Sequence, residues 1–112
     1  MSIKGGAGHK DAIDENLHSP VRFAIMASLV NLDKAEFAFV RDALEVSDST
    51  LSKQATALES LGYLKVIKGH VGKRPRTWFA LTPHGRTAFA GHLQALRSLA
   101  EAAARFSPAA PA

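Results

Sequence analysis

The sequence predicts a mostly helical α+β domain, in which two closely spaced helices precede an antiparallel hairpin with a basic tip and a long C-terminal helix closes the chain. Three observations carry this reading. Apolar residues recur at three and four up to Leu58, then at every second position from Leu64. Ser19-Pro20, Ser47 and Thr82-Pro83 are helix starts, each a capping hydroxyl and two of them with Pro in the first turn, where its missing donor costs nothing. Gly62 stands between the two periodicities, where a helix would stop.

At 112 residues, 46% hydrophobic and 21% charged, the chain is expected to form one domain with a modest core. It has no cysteine, so a disulfide framework and a thiolate metal site are both excluded. The start resembles no secretory signal, and the longest apolar run, around Phe23 to Val30, is too short to span a bilayer. The cytoplasm is therefore the expected location, with no membrane partner. Residues 1–9 are Gly-rich and read as a flexible arm, residues 107–112 as a disordered tail, and residues 10–106 as the domain between them.

Taken in order, a short helical segment is expected from about Lys10 to Leu17. The helix begun by Ser19 should then bury Val21, Ala24, Ile25, Ser28, Leu29 and Leu32 and end near Leu32. Ala35 to Phe37 suits a very short strand, followed by a helix with Phe39, Val40, Ala43 and Leu44 on its inner face. Ser47 caps the next helix after only a short turn, which makes a helix-turn-helix pattern. With Leu51, Ala55 and Leu58 turned inward at about 100° per residue, Ser49, Lys53, Thr56 and Ser60 face outward and Thr50, Ser52 and Ala57 lie on the flanks. That outer face is short, hydrogen-bonding and nearly free of acid, suited to a major groove lined by donors and acceptors. Asp48, in the first turn, favours the helix dipole.

After Gly62, Leu64 and Val66 form one strand and Phe79 and Leu81 another, with Ile67 and Trp78 paired on the outer side. The loop between them, KGHVGKRPRTWF, holds four cations and no acid, with Gly69, Gly72 and Pro75 supplying turn residues. Charge is segregated along the whole chain: from Ser60 to Ala100 there are seven Lys or Arg and no Asp or Glu, whereas nine of the ten acids precede Ser60. A net charge of +4 distributed in this way produces a positive field on one side, as on a surface that meets polyanions.

Helix, short strand, helix, helix, strand, basic loop, strand, helix is the order of a winged helix-turn-helix domain with a two- to three-stranded antiparallel wing. The stretches LHSPVRFAIMASL, STLSKQATALESLGYLKV and VGKRPRTWFALTPHGRTAF together resemble small MarR-like and ArsR-like bacterial transcriptional regulators, over roughly Leu17 to Phe89. The resemblance implies that the helix from Ser47 is the recognition helix, so that the DNA-binding candidates there are Ser47, Ser49, Thr50, Ser52, Lys53 and Thr56. It also implies that Lys73, Arg74 and Arg76 at the wing tip lie along the backbone or in the minor groove. The expected function is a sequence-specific double-stranded DNA-binding regulator, a repressor. The alternative is a winged helix used only for protein interaction, whose signature of acids on the recognition face and a neutral wing is the opposite of this sequence.

In the last helix Phe89, Leu93, Leu96, Ala100 and Ala103 step by four, three, four, three over about twenty-three residues, roughly 35 Å. One small domain cannot bury that whole stripe, which predicts a homodimer joined by this helix and an inverted-repeat operator. An enzyme is not expected. GHVGKR has two residues between its glycines where a phosphate-binding loop needs four, and TLSK has Thr50 where a nucleophilic serine would stand. RNA is disfavoured for want of an exposed aromatic platform. His9, His18, His70, His84 and His92 are scattered and read as surface residues, so neither metal nor cofactor is assigned. A small-molecule effector is compatible with the resemblance, but no residue pattern points to one.

Overall fold

The computed structural model describes residues 13–106; the arm and the tail read from composition lie outside the described residues. Its elements are α1 (Pro20–Leu29), β1 (Ala35–Glu36), α2 (Phe37–Leu44), α3 (Asp48–Ser60), β2 (Leu64–Val71), β3 (Arg74–Leu81) and α4 (Pro83–Arg105). The three strands form one antiparallel sheet in the order β1-β3-β2. This is the winged helix arrangement that the element order predicted.

The short helix expected before Leu17 is absent from the described part of that segment. From Asp14 the chain makes a turn, Leu17 N–H donating to the Asp14 carbonyl at 2.9 Å, and delivers Leu17 fully buried into the core. Ser19 then caps α1, its hydroxyl accepting from Arg22 N–H at 3.4 Å. α1 ends at Leu29, one turn before the expected Leu32: Leu32 N–H bonds back to the Leu29 carbonyl at 3.0 Å and tightens the last turn. Arg86, reaching over from α4, donates to the Val30 and Leu32 carbonyls at 2.6 and 3.0 Å, occupying acceptors a helix end leaves free. The buried face of α1 is accordingly Ile25, Met26 and Leu29, with Leu32 left partly exposed.

β1 sets the rotation of α2. Pairing places Ala35 opposite Phe79, and the helix starts at once with Phe37, whose ring packs on Phe79 at 5.7 Å between centroids. The inward row is therefore Phe37, Val40 and Leu44, and Phe39, expected inside, points outward and is 56% exposed. Ala43 is exposed too. α2 ends on Glu45, a non-glycine residue with φ of 56°. Arg41 braces the turn that follows, its guanidinium meeting Asp42 at 3.0 Å and Asp48, in the first turn of α3, at 3.1 Å.

Gly62, with φ of 77°, terminates α3 in a Schellman arrangement: its N–H goes to the Glu59 carbonyl and the N–H of Tyr63 to that of Leu58, at 2.9 and 3.0 Å. The start of α4 is fastened onto this same corner. The Thr82 hydroxyl accepts from Gly85 N–H at 2.9 Å and donates to the Gly62 carbonyl at 2.5 Å, while Thr82 N–H donates to the Tyr63 carbonyl at 3.1 Å. Gly85 is buried there, and a Cβ on it would run into the Tyr63 carbonyl.

The hydrophobic core gathers under α1, α3 and the sheet, with Ile25, Leu29, Val40, Leu51 and Leu58 fully buried and Phe79 nearly so. Each such side chain contributes about 1.5–3 kcal/mol of transfer free energy. α4 adds Phe89, whose ring lies 5.3 Å from that of Phe23, and Ala95. His92, expected on the surface, is instead 2% exposed. Its Nδ1 accepts from Asp14 N–H at 3.1 Å, and its ring meets those of Phe23 and His18. The Asp14 carboxylate in turn accepts from the Tyr63 hydroxyl at 2.5 Å, and burial together with this bond pushes the tyrosine up to about 12, keeping it a donor.

Substitutions at the two glycines of α4 should act in opposite directions. Gly85→Ala should destabilise the fold by about 1–3 kcal/mol in urea unfolding through overpacking. Gly91→Ala in the same helix, where a Cβ meets nothing within 4 Å, should stabilise it by about 0.5–1 kcal/mol. Burial holds His92 below its ordinary value of 6.5, outweighing the pull of Asp14 and Glu15, and His18 pushes the same way. The folded state therefore prefers the neutral ring while the unfolded chain takes up a proton near pH 6.5, so stability should be complete above that pH and fall as pH drops below it. His92→Gln, which retains a neutral acceptor, should show a smaller fall between pH 7.5 and 5.

Candidate nucleic-acid interface

α3 has only one apolar face, and the burial of Leu51, Ala55 and Leu58 fixes its rotation. Ser49, Lys53, Thr56 and Ser60 are consequently exposed, as the 100° spacing requires; of the flank residues Ser52 is exposed as well, whereas Thr50 and Ala57 are half-buried. Ser47 has a different duty. Its hydroxyl accepts from Thr50 N–H at 3.1 Å, donates to Thr50 Oγ1 at 3.0 Å and lies 3.2 Å from Ser49 Oγ, so it caps the helix and ties three hydroxyls together at its start. Arg22 Nε donates to Gln54 Oε1 at 2.8 Å and anchors the helix to α1.

The wing is longer and stiffer than the sequence suggests. Gly69 and Pro75, read as turn residues, lie within the strands, paired with Arg76 and His70. The ladder runs on to Val71 and Arg74, leaving Gly72 and Lys73 as the turn. Gly72 has φ of 62° while Lys73 does not share a positive φ, which is the pattern of a type II′ hairpin. Extension of the ladder sorts the cations by face, because strand side chains alternate. Lys68 pairs with Thr77 on the side of Val66 and Phe79, whereas Arg74 and Arg76 fall on the opposite side with Trp78.

Lys68 and Thr77 thereby reach the cleft between wing and α3, a space of about 430 Å³ that Ser52, Thr56 and Glu59 line from the helix. Neither was among the residues expected at the interface. The signal was available: continuing the alternation of Leu64 and Val66 by one step lands on Lys68. The expected wing cations are not equivalent. Lys73 and Arg74 are exposed, and among the described residues neither forms an ion pair. Arg76 is half-buried and pairs with Glu36 of β1 at 3.4 Å. Arg86, which adds to the basic count after Ser60, is committed to the end of α1. On the outer sheet face, Ile67 and Trp78 pair as expected, and Lys34 Nζ sits 5.0 Å from the centre of the Trp78 ring.

The residues expected at a dimer interface divide. Phe89 is taken up by the core of its own domain, and Leu93 and Leu96 are half-buried. Ala100 and Ala103 are exposed, as are Leu99 at 57% and Phe106 at 84%, and among the described residues none beyond Ala95 is buried. No group of three or more His, Asp or Glu that could hold a metal ion occurs among the described residues, and no described helix is long and apolar enough to cross a membrane.

A helix-turn-helix whose second helix shows a polar outer face, beside a cationic hairpin, defines a winged helix DNA-binding regulator. A family model described as a winged helix DNA-binding domain matches residues 21–100, and the chain belongs to that family. An uncharacterized protein of Methanocaldococcus jannaschii is 29% identical over 84 residues, 75% of this chain and 91% of that protein. A transcriptional regulator homologue from Pyrococcus horikoshii superposes with a TM-score of 0.76 at 26% identity, covering 85% of this chain and 94% of that one. The PcaV transcriptional regulator of Streptomyces coelicolor, solved with its natural ligand, shares the fold at a TM-score of 0.69 and 18% identity, over 87% of this chain and 67% of its own. The fold matches that of MarR-like regulators.

Proposed function

We propose that the protein is a sequence-specific, double-stranded DNA-binding transcriptional repressor that acts in the cytoplasm as a homodimer on an inverted-repeat operator. One observation carries the reading: Ser52 and Thr56 on the outer face of α3 and Lys68 and Thr77 on the wing line a single cleft, with the exposed Lys73 and Arg74 beyond it at the hairpin tip. α3 would enter the major groove, where Ser49, Ser52, Lys53 and Thr56 read base edges. Lys68, Lys73 and Arg74 would hold the phosphates of the adjoining strand, supplying affinity without sequence information. The stiff hairpin suits this task, since little freedom is lost when it docks.

The dimer is supported by the apolar stripe in the second half of α4, where Leu99 and Phe106 are exposed large apolar side chains and Leu96 is only half-buried. An apolar groove of about 280 Å³ that includes Leu17, Pro20, Phe23 and Leu96 continues that stripe toward the N-terminal segment. Pairing two copies there would present two copies of α3 to one side of a duplex, about 34 Å apart.

Fluorescence anisotropy against salt tests the interface. Arg74→Ala and Lys68→Ala should each weaken binding to every duplex and reduce the slope of log K against log salt by about one unit. Lys53→Ala should alter preference among duplexes chosen from a random pool; equal losses on selected and random DNA would contradict its assigned role. Sedimentation at micromolar concentration should show a dimer, and a monomer there would remove the operator geometry.

A further inference from the structure

We propose that Glu36, on β1, is an intramolecular competitor for Arg76, holding this wing cation back from DNA phosphate and setting how much of the wing's charge the duplex can use. The inference rests on the DNA-binding reading above and concerns residues that it leaves unequal. β1 is only two residues long, yet its register places Glu36 opposite Trp78 on the outer face of the sheet. Arg76 lies two residues before Trp78 on that same face, and its Nη1 reaches Glu36 Oε1 at 3.4 Å. Lys73 and Arg74, a few residues nearer the tip, have no such acid among the described residues.

The hold is incomplete. At 3.4 Å the contact is longer than the usual 2.7–2.9 Å of a charge-assisted bond, and only one guanidinium nitrogen meets the carboxylate. Arg76 Nε is buried with no hydrogen-bond partner among the described residues. A guanidinium left in this state gains by exchanging one carboxylate oxygen for a phosphate that can accept two parallel bonds. Room for that exchange exists, because Arg76 and Glu36 border an open groove of about 200 Å³ with Phe37, Pro75 and Thr77. The side chains of Arg76 and Glu36 are 38% and 45% exposed, so solvent screens the pair and the competition is shallow. Glu36 makes no capping bond to α2, and changing its charge should leave the fold intact.

The test is a double-mutant cycle on the full chain, with wild type, Glu36→Gln, Arg76→Gln and the double variant titrated by anisotropy against a random-sequence duplex at several salt concentrations. Glu36→Gln should bind about two- to fivefold more tightly than wild type at low salt, with a steeper salt slope. In the Arg76→Gln background the same change should have less than half that effect. An equal gain in both backgrounds would mean that Glu36 acts only through the general field, and weaker binding of Glu36→Gln would mean that it delivers Arg76 to DNA; either overturns the inference alone. If wild type binds no duplex at low salt, the DNA-binding reading falls and takes this inference with it.

Discussion

Burial of Leu51, Ala55 and Leu58 is the constraint on which the rest of this molecule depends. A helix with a single apolar stripe has one rotation at which that stripe leaves water, and every outward residue is assigned by the same choice. The hydroxyls and the lysine of α3 face solvent because the core has taken the opposite side. What surrounds the helix then fixes its position: the Ser47 cap at its start, the Arg41 brace to Asp48, the Arg22 bond to Gln54, and the Gly62 stop at its end. These contacts, from both ends and from α1, set the helix against the cleft it lines with the wing.

The corner around Gly62 links this helix to the two other working parts. β2 leaves it toward the wing, and α4 is pinned to it through Thr82 and through the close approach of Gly85 to the Tyr63 carbonyl. Tyr63 also reaches Asp14, whose backbone donates to His92 of α4. The N-terminal segment, the hairpin and the long helix thus meet at one small polar network on the rim of the core. Such networks are stable only when each member is satisfied, and here a buried neutral histidine accepts where a protonated one could not.

Electrostatics in this domain is a matter of allocation more than of total charge. Arg86 terminates α1, Arg41 braces a turn, Arg76 is shared with Glu36, and Lys34 covers Trp78. What remains on α3 and the outer half of the wing is a smaller set, Lys53 on the helix and Lys68, Lys73 and Arg74 on the wing. Of that set Lys68 lines the cleft between wing and α3, and the others stand on the exposed helix face and at the hairpin tip; where the free charge stands matters more for duplex binding than the number of basic residues in the chain.

Much of this was legible in the residues. The capping hydroxyls at Ser19, Ser47 and Thr82, the stop at Gly62, the inward and outward rows of α3 and the change of period at Leu64 depend on neighbours a few positions away, and local chemistry determines them. The rotation of α2, the early end of α1, the burial of His92, the need for glycine at Gly85 and the pairing of Arg76 with Glu36 were decided by the tertiary structure. Each arises from partners far apart in the chain: Phe79 against Phe37, Arg86 against Val30, Asp14 against His92, Tyr63 against Gly85. Periodicity states which residues want to leave water, but only the folded chain supplies the particular surface, carbonyl or carboxylate that each one meets.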